Sequence, residues 1–156
     1  MLAVAVVLAG CSGGDPARPD DGAAVVTDDG VRYTAATAVM ESFPVQLRTT
    51  LTLENVGTEV VRLTFPDGCV VLLAAARPGS DEAVWEEERA CTMALEEVSL
   101  APGEEREFTS STVSARDILG ASLPDGPYDL LAVLRPHTGT VRVPAGRVAL
   151  AVPRGD

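Results

Sequence analysis

The chain has 156 residues, 23 acidic and 12 basic, and a formal net charge of −11. That length suits one domain with a buried core, and the acidic surplus excludes a nucleic-acid partner, which needs a basic patch that displaces counterions. Every basic residue is arginine, and with a single histidine, His137, there is little material for imidazole acid–base or metal chemistry.

The chain opens on an apolar run, Leu2 to Gly10, that ends in Leu8-Ala9-Gly10-Cys11. The last four residues resemble a bacterial lipobox, in which small residues precede a cysteine whose thiol takes a diacylglycerol. Residues 1–10 therefore read as a lipoprotein signal, truncated at its start because no Lys or Arg precedes the apolar run. Cys11 is the expected lipidation site, and the membrane is the expected partner of that lipid. The location implied is the cell envelope, facing the periplasm or the exterior. Residues 11–28 begin with Gly, Pro, Asp and Ser and read as a flexible tether, with residues 29–156 as the folded domain.

From Val31 onward alternation dominates. Val31, Tyr33, Ala35, Thr37 and Val39 share one face of a predicted strand, and Val45, Leu47, Thr49, Leu51 and Leu53 share one face of the next. Val61, Leu63 and Phe65 repeat the period. After the turn Pro66-Asp67-Gly68, the unbroken apolar run Cys69 to Ala76 predicts a central strand covered on both faces. Ala83-Val84-Trp85, Cys91 to Leu100 and Arg106 to Val113 follow as further strands. Ser114 to Leu119 is the one helical candidate, with Ser114 as its cap and Gly120 as its end. Tyr128 to Arg135, then Val141-Val143 and Val148 to Val152, complete the pattern. About seven to nine short strands separated by Gly and Pro turns describe an all-β, immunoglobulin-like antiparallel sandwich.

With Cys11 assigned to lipid, Cys69 and Cys91 remain as an even pair in a compartment that permits oxidation, so a disulfide between neighbouring strands is expected. Two buried free thiols are the alternative. No Gly-x-Ser-x-Gly elbow, phosphate-binding glycine loop or His-Glu-x-x-His motif occurs. No metal site, cofactor or catalytic residue is expected, because the acidic clusters lack the spacing of a calcium loop.

The order Asn55-Val56-Gly57-Thr58, Leu63-Thr64-Phe65, Pro66-Asp67-Gly68, Ala83-Val84-Trp85, Pro102-Gly103-Glu104, Phe108 and Asp125-Gly126-Pro127-Tyr128 resembles the BsuPI-type domain, named for an intracellular proteinase inhibitor of a Bacillus. The resemblance spans about residues 45 to 136. It departs where the family carries a Phe-x-Gln element and this chain has Ala90-Cys91-Thr92-Met93, and where Glu86-Glu87-Glu88 follows the tryptophan. It implies an immunoglobulin-like sandwich and, in its sharpest form, inhibition of a protease. A lipid-anchored, non-enzymatic binding domain is the function expected, with a substrate- or ligand-capturing lipoprotein and a structural envelope module as alternatives. Its partner, a protease or an envelope component, is expected to dock on the turn-rich segment from Pro78 to Arg89, through Trp85 as anchor and Glu86, Glu87 and Glu88 as a negative surface. An exposed Trp85 would favour that docking, and a Trp85 buried against the cysteine bridge would favour a structural role.

Overall fold

The computed structural model describes residues 24–153; Cys11 and the signal-like segment before it lie outside them. In chain order the strands are β1 (Val25–Asp28), β2 (Val31–Met40), β3 (Gln46–Asn55), β4 (Val61–Phe65), β5 (Leu72–Ala76), β6 (Ala83–Glu86), β7 (Glu96–Leu100), β8 (Glu105–Thr109) and β9 (Val113–Ser114), then a short helix α1 (Ala115–Leu119), β10 (Gly126–Leu134) and β11 (Val141–Leu150). One sheet has the order β1-β2-β3-β8, with β9 also on β3; a second has the order β11-β10-β5-β6; β4 and β7 form a separate pair. Every pairing is antiparallel. The result is the all-β sandwich that the alternation implied.

The main core lies between the sheets, and period-two sequence puts it there. Val31, Tyr33 and Ala35 on β2 sit opposite Asn55, Leu53 and Leu51 on β3, all buried. Leu130, Ala132 and Leu134 on β10 and Leu73 and Ala75 on β5 supply the other side of the same cluster. The intervening residues Ala74, Ala76, Leu131 and Val133 form a second, smaller cluster. So β5 is buried on both faces, as a continuous apolar run requires. Tyr128 closes one end, its hydroxyl donating to the Pro124 carbonyl at 2.7 Å.

The differences from expectation have local causes. The fold begins at Val25, inside the segment read as tether, because Asp29 and Gly30 have φ of 43° and 76° and turn β1 back onto β2 as a two-residue hairpin. β5 starts at Leu72 and not at Cys69, since Asp67 Oδ1 accepts from Cys69 N at 2.8 Å and holds residues 67–69 in a turn. The strand expected from Arg106 to Val113 is two strands, with Ser110, Ser111 and Thr112 leaving the ladder between them. Ser110 Oγ accepts from Thr49 N at 3.0 Å and keeps that break attached to β3. The helix is as read: Ser114 and Asp117 form a reciprocal capping box and Gly120 ends it at φ 51°. Pro144 is tolerated in β11, an edge strand whose register shifts opposite Leu130 and Leu131.

Candidate functional site

Three chain segments meet at one edge of the sandwich: edge strand β6 with residues 87–89 after it, the excursion Ser110–Thr112, and the turn carrying Cys69. Trp85 stands opposite Ala75 and is half-buried, with its ring against the main core. It is neither an exposed anchor nor a fully enclosed core residue. Successive side chains on extended backbone point to opposite sides, and this divides the acidic triplet. Glu86 pairs with Arg135. Glu88 is exposed.

Glu87 turns inward and is 7 % exposed. Its backbone N–H donates to Leu73 O at 2.8 Å, and its Oε2 accepts from Leu73 N at 3.0 Å. Oε1 accepts from the Ser111 hydroxyl, and Arg89 Nη1 lies 3.7 Å from the same oxygen. A carboxylate is buried only when such partners replace its water. Glu87 therefore turns away from the negative surface expected of Glu86, Glu87 and Glu88 and joins β5 of one sheet to the excursion beside β3 of the other.

Arg89 continues the chain of contacts, its Nε donating to Cys69 Sγ at 3.1 Å. Cys69 and Cys91 are disulfide-bonded, with Cα atoms 5.6 Å apart. The bridge joins two loops, and not two neighbouring strands as the sequence suggested, because neither cysteine belongs to a ladder. Asp67 lies near both sulfurs, but sulfurs bonded to each other offer no thiolate to a metal.

Beyond the bridge the expected strand from Cys91 is instead an exposed loop, and β7 begins at Glu96, opposite Phe65. Gly68 N donates to Thr92 O at 3.1 Å, and a Cβ on Gly68 would come within 2.2 Å of Thr92 Oγ1, a contact that rotation of the exposed Thr92 side chain would relieve. The chain bends at Met93 and Ala94. Met93 is 96 % exposed and Leu95 67 %. An open concavity of about 660 Å³ is lined by Trp85, Glu87, Glu88, Arg89, Ser111 and Asp117, among others.

His137 is an exposed turn residue whose backbone N–H donates to Thr64 O at 2.8 Å. The sequence-predicted residues Trp85, Glu86, Glu87 and Glu88 thus line one concavity with Arg89 and Ser111, and Arg89 links it to the Cys69–Cys91 bridge, after which Met93 and Leu95 follow in the chain. Nothing in the pattern marked Ser111. Met93 and Leu95 were hidden because Cys91, Met93 and Leu95 alternate as a strand would.

Among solved structures, the fold is similar to Northeast Structural Genomics Consortium target SoR45, at 14 % identity and a TM-score of 0.36, covering 81 % of this chain and 89 % of that one. It is also similar to part of a β-glucosidase involved in saponin metabolism from intestinal bacteria, at 14 % identity and TM-score 0.39, covering 76 % of this chain. A Listeria innocua β-glucosidase in complex with glucose matches at 12 % identity and TM-score 0.36, covering 78 % of this chain. The chain spans 16 % and 17 % of the length of these two enzymes. No curated protein matches it. A family model described as BsuPI, intracellular proteinase inhibitor, matches residues 34–138, from within β2 to the turn after β10. That match takes in β3 to β10, the disulfide and the exposed loop, and the chain belongs to the BsuPI, intracellular proteinase inhibitor, family.

Proposed function

We propose that this protein is a non-enzymatic binding module that occludes an endopeptidase and is held at the bacterial cell envelope by a lipid on Cys11. Membership of the proteinase inhibitor family carries the first half of the reading. The site is in keeping with it: the Glu87 carboxylate is engaged by a backbone amide and by Ser111, which suits it to hold two segments together and leaves it badly placed to move a proton. The lipobox-like Leu8-Ala9-Gly10-Cys11 supports the anchor. The Cys69–Cys91 bridge supports a compartment outside the reducing cytosol, where such bonds persist.

Two measurements test the halves separately. The full chain, mixed at equal concentration with subtilisin, chymotrypsin or trypsin, is expected to abolish hydrolysis of a chromogenic peptide by at least one of them. Digestion of the chain by all three with no loss of peptidase activity overturns the inhibitor reading. In cells fed labelled palmitate, wild type is expected to carry label and Cys11→Ser to lose it; equal labelling removes the anchor.

A further inference from the structure

We propose that the loop Ala90–Leu95 is the segment that enters the endopeptidase's substrate cleft, with Met93 in the pocket that reads the residue at the scissile bond. This rests on the inhibitor reading above and specifies its contact. The first observation is exposure. Leu95 is the one leucine in the exposed class among the described residues, and two positions before it Met93 is almost wholly free of the fold. A sandwich that buries its other leucines wholly or in part leaves two apolar side chains outside on one loop.

The second observation is that both ends of this loop are fastened. On the N-terminal side, Glu87 is bonded to Leu73 and Ser111, Arg89 to Cys69 Sγ, and Cys91 to Cys69. In the middle, Thr92 O is held by Gly68 N. On the C-terminal side the chain passes directly into β7, paired with β4 from Glu96 onward. A loop ordered before it binds loses little conformational freedom on binding, which is where much of the cost of association lies.

The third is chemistry. Endopeptidases of the serine class read one substrate side chain in a pocket beside the nucleophile, and the lining of that pocket decides which side chain is taken. Met93 projects from a bend, convex toward a concave cleft, and its unbranched thioether side chain adapts to an apolar pocket. Its neighbours Thr92 and Ala94 are small enough not to obstruct entry. Glu88 before the loop in the chain and Glu96 and Glu97 after it are exposed, so carboxylates flank the apolar residues as a charged rim flanks the apolar centre of many protein interfaces. The partner it fits is an endopeptidase with a deep apolar primary pocket and a basic rim.

The test compares wild type, Met93→Ala and Met93→Arg as full chains against subtilisin and chymotrypsin, whose pockets are apolar, and trypsin, whose pocket is acidic. Because Met93 touches so little of the fold, all three proteins are expected to melt at the same temperature. Met93→Ala is expected to weaken inhibition of the apolar-pocket enzymes about thirtyfold, the effect of truncating a central interface residue. Met93→Arg is expected to transfer inhibition to trypsin. Wild-type inhibition left unchanged by both substitutions overturns this assignment and leaves the inhibitor reading standing. Absence of inhibition by wild type and by Met93→Arg alike overturns both.

Discussion

Asn55 shows how much one buried polar side chain holds. It is fully buried at the end of β3. Its Nδ2 donates to Glu59 O at 2.7 Å and to Leu100 O at 2.9 Å, while Oδ1 accepts from Gly57 N at 2.9 Å. One amide thereby satisfies the turn after β3 and the end of β7. Asn55→Ala leaves two carbonyls and one N–H without partners, and should destabilise the domain by about 2–4 kcal/mol; the measurement is the urea midpoint, with the m-value unchanged. Tyr33 makes stability sensitive to alkali. Burial first, then Asp28 and Asp29, push its hydroxyl from 10.0 up to about 12. A phenol raised in this way keeps its proton in the folded state where the unfolded chain has lost it. Its contribution is complete below about pH 10 and declines as pH rises toward 12, by roughly 2–3 kcal/mol in all. Denaturant titrations across that range should show the decline in wild type and a flatter profile in Tyr33→Phe.

At the level of elements, the bridge between the turn before β5 and the loop before β7 closes a segment with a sequence separation of 22 residues. In the chain-entropy account it stabilises the fold by about 3 kcal/mol, since it limits the unfolded chain. Reduction should therefore lower the melting temperature while the far-ultraviolet circular dichroism stays that of a β-protein at room temperature. Mass spectrometry of alkylated protein before and after reduction checks that the bridge is the bond broken. These cysteines were legible as a pair, but not the kind of segment they join, because Met93 and Leu95 continue an alternation that the bridge interrupts. β2 and β3 were legible because each runs ten residues, with burial alternating along all of β3 and the first half of β2. β1 was not, having only four residues, although Asp29-Gly30 after it is the dipeptide that a tight hairpin turn favours. Glu87 was misread for a general reason: a glutamate between two others has the sequence signature of solvent, and only the backbone of Leu73 and the hydroxyl of Ser111 supply the partners that allow its burial.

For the whole molecule, the net charge of −11 acts through the carboxylates that remain free to meet a partner. Glu86 and Glu87 are occupied within the fold, whereas Glu88, before the loop in the chain, and Glu96 and Glu97, after it, are exposed. Replacing these last three by glutamine should slow association with a basic-rimmed endopeptidase and flatten its dependence on salt, with the melting temperature nearly unchanged, because exposed charges steer encounter more than they stabilise. Stopped-flow rates at several salt concentrations are the check. Glu87→Gln is the contrast and should lower the melting temperature. The inward Glu87 also determines how the molecule takes mechanical load. A partner pulling on the loop draws through Glu87 on β5, an interior strand of its sheet, and at the same time on Ser111, attached beside β3 of the other. The force is shared between two sheets, in parallel with the covalent Cys69–Cys91 bridge, so no single hydrogen bond carries it alone.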